Sequence, residues 1–158
     1  MLVQLIYIST PIEEHRASIT KMVNNLQERN RLAGVNGILL MHDHFYLQLL
    51  EGERSTVNKI YNRIVSDYRH ANVTLLKYHD TQREEFVNWN LAVLDSSTCS
   101  EENCSTIIAG SIDINDESLP TDIAGNTAIS ILRRAYTVAT VQSAPNRRKT
   151  DLANIHGE

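Results

Sequence analysis

The order of strand-like and helix-like periodicities along this chain predicts an α+β fold. Three observations carry that expectation. Residues 2–9, Leu-Val-Gln-Leu-Ile-Tyr-Ile-Ser, form an unbroken apolar-rich run closed by Thr10-Pro11. Residues 34–53 hold two further runs on either side of the polar His42-Asp43-His44, which reads as a hairpin. Two segments with apolar residues at helical spacing follow these runs, giving strand, helix, strand, strand, helix, strand. That is the split βαβ, or ferredoxin-like, βαββαβ sheet, with one strand appended, two helices on one face and a C-terminal helical tail on the other.

In the first strand Val3, Leu5, Tyr7 and Ser9 share one face, and Gln4, Ile6 and Ile8 the other. Ser18 is placed to cap a helix reaching to about Leu32, whose stripe is Ile19, Met22, Val23 and Leu26. Asn30 lies eleven residues past Ile19, about 20° from it on a helical wheel. An amide therefore falls on the buried face at the helix end. A C-terminal capping residue is one reading of it, a site residue the other. In the third strand Phe45, Leu47 and Leu49 point one way and Tyr46, Gln48 and Leu50 the other. Both faces are apolar, so the strand is covered on both sides. A primary amide buried at Gln48 costs about 1–3 kcal/mol if left unpaired, so a partner must answer it.

A second helix from near Ser55 carries Val57, Ile60, Tyr61, Ile64 and Val65 on its core face, with Arg63 and Asp67 flanking. Val73–Tyr78 reads as a strand, Arg83–Phe86 as one helical turn, and Trp89–Leu94 as the last strand. The crossover rule is read here as making the first and third strands central, adjacent and parallel. Their helix-facing Tyr7 and Gln48 then meet, with Asn30 above them.

Past Leu94 the composition changes. Residues 96–132 hold no Lys or Arg, but include Glu101, Glu102, Asp113, Asp116, Glu117 and Asp122. A short helix fits 101–110. A longer one fits 121–141, with a stripe of Ala124, Ala128, Ile131, Leu132, Ala135 and Ala139 and with Val138 beside it. Nothing in residues 1–95 covers the face made by Gln4, Ile6, Ile8, Phe45, Leu47 and Leu49. The longer helix is therefore expected to dock there, within one chain or across a homodimer. The division expected is a sensor unit at 1–95, a helical extension at 96–144 and a disordered polar tail at 145–158.

Bulk properties exclude several classes. A net charge of −4 offers nothing to nucleic acid or an anionic membrane. No apolar run approaches the roughly 20 residues of a bilayer span. The N-terminus lacks the features of a signal peptide, so a cytoplasmic location is expected. Cys99 and Cys104 read as thiols, since a disulfide there would close a very small loop. His42-Asp43-His44 has no third ligand placed by the pattern and is read as a turn; no metal is expected.

The motifs now narrow the reading. Leu5-Ile6-Tyr7-Ile8-Ser9, Asn30 followed by Gly34-Val35-Asn36-Gly37, Phe45 through Glu53, Asp67-Tyr68-Arg69-His70 and Phe86-Val87-Asn88-Trp89 occur in one order. Together they resemble the BLUF family, flavin-binding sensors of blue light, over roughly residues 2–95. The resemblance implies a flavin, FAD with FMN as the alternative, held edge-on to the sheet between the two helices. It implies a photoactive pair in Tyr7 and Gln48, with Trp89 and Leu91 beside it. It also implies cofactor contacts from Asn30, Arg63, Asp67, Arg69 and His70. Three positions depart from the family pattern: Leu91 stands in place of methionine, Asn36 in place of threonine, and Arg29 in place of a second asparagine. The resemblance implies a non-enzymatic photoreceptor. Its output is expected to pass to an unidentified signalling protein or a change of assembly. The alternatives are a light-insensitive flavin-binding module and a flavin redox enzyme.

Overall fold

The computed structural model describes residues 1–87, 90–108 and 123–143. Its elements are β1 (Leu2–Pro11), α1 (Arg16–Ala33), β2 (Asn36–Met41), β3 (Tyr46–Glu53), α2 (Arg54–Val65), β4 (His70–Thr81), β5 (Ala92–Asp95), α3 (Glu101–Ile108) and α4 (Gly125–Ser143). The five strands form one sheet in the order β4-β1-β3-β2-β5. Helices α1 and α2 lie on one face and α4 on the other. Trp89 and the tail at 145–158 lie outside the described residues.

One expectation is corrected at once. β1 and β3 are central and adjacent, but antiparallel, with Tyr7 directly opposite Gln48 and Gln4 opposite Glu51. The crossover through α1 makes β1 parallel to β2, not to β3. The tight hairpin then reverses β3 against β2. A strand inserted between two parallel ones by a hairpin must run against both. β5 joins the sheet at the far edge, parallel to β2.

Helix α1 begins at Arg16, ahead of Ser18, with His15 at its N-cap position and no side-chain cap. Its end is a Schellman motif: Gly34 adopts φ 65°, its N–H donates to Arg31 O, and Val35 N–H donates to Asn30 O at 2.9 Å. Gly34 is the residue that left-handed turn requires. α2 begins one residue earlier than expected, because the Glu53 carboxylate accepts the N–H groups of Ser55 and Thr56 at 2.7 and 3.2 Å. Val57 is its buried residue; Val65 is half exposed and does not join the core. β4 starts at His70, and a bulge leaves Leu76 unpaired where Ile6 faces Lys77 and Tyr7 faces Leu75. Arg83–Phe86 is not a helical turn. That segment folds onto a buried carboxylate instead, with the Glu85 and Phe86 N–H groups donating to Glu51 Oε1 at 2.8 and 3.1 Å.

The core has two layers divided by the sheet. On the α1/α2 face Val3, Leu5, Tyr7 and Leu50 pack against Val57, Ile60 and Tyr61, while Leu39, Met41 and Tyr46 meet Ile19 and Leu26. On the opposite face Ile6, Ile8, Leu47 and Leu49 lie under Ala128, Ile131, Leu132, Ala135 and Ala139 of α4, with Ile107 of α3 alongside. The apolar face that suggested a dimer is thus covered by the chain's own helix. Ala124 precedes α4 and is exposed, whereas Ile129, outside the expected stripe, is buried. A helix lying on a broad sheet buries a wider arc than a narrow seam does. The approach is close at the helix start, where a Cβ on Gly125 would sit 2.8 Å from Lys77 Cβ.

Candidate functional site

Between α1 and α2, above β1, β2 and β3, opens a cavity of ≈ 450 Å³. Ile19 and Leu26 of α1 form one wall, and Ile60 and Ile64 of α2 the other. Tyr7, Leu39, Tyr46, Gln48 and Leu91 make the floor, while Arg29, Arg63, Asp67, Arg69 and His70 complete the lining. Tyr7, Asn30, Gln48, Arg63, Asp67, Arg69, His70 and Leu91, singled out from the sequence, therefore line one space.

The floor is organised by strand pairing. Tyr7 and Gln48 face each other across β1 and β3, and the Tyr7 hydroxyl donates to Gln48 Oε1. Gln48 is 8% exposed and Tyr7 3%, so the amide finds its partner inside the protein. Burial pushes the Tyr7 phenol well above its ordinary range, helped by Tyr61 and the negative charge of Asp67. The phenol is therefore neutral and its proton is aimed at Gln48. Tyr61 leans on the same ring at 5.7 Å.

Asn30 does not cap its own helix with its side chain. Its Nδ2 donates 2.8 Å to Asn90 O, and one turn earlier Gln27 Nε2 donates 2.8 Å to Leu91 O. Two amides on one face of α1 thus hold the residues leading into β5 against the cavity. Asn30 keeps its carbonyl oxygen and a second N–H for another partner. Gly37 lies under this junction, where a Cβ would come within 3.3 Å of Leu91 Cδ1 and 3.7 Å of Asn30 Nδ2.

At the far end Arg69 spends its guanidinium on Asp67. Arg69 Nε donates to both carboxylate oxygens at 2.8 and 3.0 Å, and Nη2 donates as well. The Asp67 carboxyl is held below its usual range, first by that pairing. His70 Nδ1 shares a hydrogen with Ser9 Oγ at 2.7 Å, and burial pushes its pKa down, so the ring is neutral. Arg63 and Arg29 remain exposed at the mouth.

The lining fits a flat aromatic cofactor with polar edges. The two walls are aliphatic, amides stand at Asn30 and Gln48, and arginines stand at the opening. Tyr46 adds a second sign. Its hydroxyl is buried without a hydrogen-bond partner among the described residues, on the floor of this same cavity. Such a group calls for a polar atom from a bound molecule. Leu39 and Tyr46 were not singled out from the sequence, although their parity with Gln48 across β2 and β3 places them on its face.

Comparison with known proteins agrees with this geometry. Residues 2–92 match the family model described as "BLUF: Sensors of blue-light using FAD". The chain is 40% identical over 77 residues to the blue light- and temperature-regulated antirepressor BluF of Escherichia coli (strain K12). That match covers 48% of this chain and 19% of the antirepressor. The structure superposes on the ground state of BlsA with a TM-score of 0.72 at 22% identity, covering 85% of this chain and 87% of that one. It also superposes on a bacterial light-regulated adenylyl cyclase with a TM-score of 0.61 at 30% identity, covering 68% of this chain and 30% of the cyclase. Among the described residues no helix is long and apolar enough to cross a membrane.

Proposed function

The chain belongs to the BLUF family of blue-light sensors using FAD, and on that premise we propose that Tyr7 and Gln48 are its photoactive pair and that the ≈ 450 Å³ slot is its flavin site. The observation that carries the assignment is the buried Tyr7–Gln48 hydrogen bond on the floor of that slot. Bound there, the flavin supplies blue-light absorption and the oxidising power of an excited state. Asn30 holds the polar edge, Ile19, Leu26, Ile60 and Ile64 exclude water from the ring faces, and Arg63 with Arg29 answers phosphate at the mouth. The Asp67–Arg69 pair and His70 shape the remaining side.

Tyr7 is suited to give up an electron and a proton together, because its buried phenol resists separate ionisation. The proton has an acceptor already in contact, Gln48 Oε1. Gln48 carries an acceptor at one end of its amide and two donors at the other. Turning or tautomerising it reverses the pattern it offers to a neighbour and moves no net charge. The response is then a change of hydrogen bonding, sensed as a small spectral shift rather than as a covalent adduct.

We assign the output to contacts with a partner protein, and take residues 1–95 as the sensor unit and 96–144 as the extension that carries the signal. The E. coli antirepressor and the cyclase are larger proteins of which this chain spans 19% and 30%. One absorption experiment tests the reading. Protein saturated with FAD should hold a flavin spectrum that shifts to the red under blue light and returns in the dark. Saturation that leaves no bound flavin absorption refutes it.

Leu91 bears on the rate of that return. It is 2% exposed, lines the slot and is held through its carbonyl by Gln27. Branched leucine repacks less readily around a turning amide than an unbranched thioether does. Leu91→Met is therefore expected to change dark recovery while leaving the size of the red shift nearly intact. Flash-induced absorption decay measures both, and recovery identical to the parent would make residue 91 simple packing.

A further inference from the structure

We propose that Cys99 and Cys104 form a redox-responsive pair, a dithiol in the resting chain that a low-molecular-weight disulfide converts into an internal disulfide across the start of α3. The proposal stands apart from the flavin reading and rests on how α3 begins. Ser100 is its N-cap: Asn103 N–H donates to Ser100 Oγ at 3.3 Å, and Cys104 N–H donates to Ser100 O at 2.9 Å. Cys99 is therefore the residue before the cap and Cys104 the fourth residue of the helix. Those two positions touch across a helix start, where apolar side chains commonly pack to fix the entry of the chain. Here both are thiols.

The surrounding bonds draw them together. Cys99 N–H and the Cys104 thiol both donate to Ser96 O, at 3.3 and 3.5 Å. Both cysteines are thus gathered on one carbonyl at the helix start, and the Cys104 thiol responds to Cys99 as its neighbour. Both residues are half-buried, so a small reagent reaches them. Cys99 also packs against the core that α4 covers, and Ile107 of α3 is buried in it.

The exchange balances without further reagents. A thiolate from one cysteine displaces one glutathione from glutathione disulfide and forms a mixed disulfide. The second thiolate then attacks the protein-bound sulfur and releases the second glutathione. Two protein thiols are oxidised to one disulfide, and one glutathione disulfide is reduced to two glutathione thiols. The second step is intramolecular, between two cysteines that one helix start holds together. Burial and the neighbouring Cys99 push the Cys104 thiol up to about 12, so the step in which Cys104 attacks is slow at neutral pH. The rate should climb as the pH is raised towards that value, because the thiolate is the attacking form.

Closing the bond turns a packed helix start into a covalent one. The test equilibrates the full chain in stepped ratios of oxidised to reduced glutathione, quenches, alkylates and maps peptides by mass spectrometry. The expected product is a linked 99–104 peptide, lighter by two hydrogens and closed to alkylation. Amide exchange across 101–108 should slow several-fold. Cys104→Ser should instead trap a stable glutathione adduct at Cys99. Thiols that stay open to alkylation in excess oxidised glutathione, or a parent that remains a mixed disulfide when the pH is raised, would overturn the proposal. So would a linked product whose 101–108 amides exchange at the unchanged rate.

Discussion

Tyr7→Phe is expected to abolish the light-induced red shift while flavin stays bound, and Gln48→Leu is expected to do the same. The first change keeps the ring against Tyr61 at 5.7 Å and keeps its packing with Leu5, Val35 and Leu50. It removes the one hydroxyl that donates to Gln48 Oε1. Without it Gln48 Oε1 loses the phenolic proton aimed at it. The second change nearly conserves volume, but leaves the Tyr7 hydroxyl with no amide to accept its proton. An unpaired buried group costs about 1–3 kcal/mol, and each change leaves one, the Tyr7 hydroxyl or the Gln48 amide, so both should also lower the melting temperature. Light-minus-dark difference spectra together with thermal melts separate the two effects. A normal photocycle in either variant would remove that residue from the photoactive pair.

Much of this site was readable from side-chain parity. Tyr7, Gln48 and Leu50 fall on one face because strand positions alternate, and Asn30 joins them because a helix returns to nearly the same angle after eleven residues. The same parity placed Gln4, Ile6, Ile8, Leu47 and Leu49 on a second face that required a cover, and α4 is that cover. What escaped depends on relations between segments. The direction of β3 against β1 follows from the hairpin, not from any residue within either strand. Arg69 has the fork that phosphate suits, yet Asp67 two residues before it takes that fork locally. Glu51 is fully buried, where a glutamate is rarely found unless paired. Its parity with Leu47 and Leu49 puts it on that second face, and the antiparallel pairing sets it opposite Gln4. Only the folded chain reveals its donors: Gln4 Nε2 at 2.6 Å and the backbone of residues 85 and 86. Those bonds also explain why Arg83–Phe86 is a bend rather than a helical turn.

Leu132→Ala should be the most destabilising single substitution in the C-terminal extension. Leu132 is fully buried in the cluster that the sheet's second face forms with Ala128, Ala135 and Ala139 of α4. Truncating a buried leucine to alanine costs about 2–5 kcal/mol, a large share of the roughly 5–15 kcal/mol that hold a domain folded. The exposed Thr137, whose hydroxyl donates to Arg133 O one turn back, is the control. Thr137→Ala should stay within about 0.5 kcal/mol of the parent. Urea titration measures both. If α4 were merely laid against the chain, the two variants would unfold alike, and a chain cut after Leu94 would stay soluble and monomeric. Docking alone does not make α4 the output. Beyond its apolar stripe, the helix is tied to Glu85 and Phe86 by the Arg133–Glu85 ion pair, at 2.5 and 3.0 Å, and by the edge-on contact of Tyr136 with Phe86 at 5.3 Å. The Glu85 and Phe86 backbone is clamped by Glu51, three residues along β3 from Gln48. A rearrangement at Gln48 therefore has a short, bonded route to α4. Amide exchange in residues 125–143 should quicken under blue light in flavin-loaded protein that also shows the red shift. Equal protection in light and darkness, with the red shift present, would make α4 a fixed lid over the sheet.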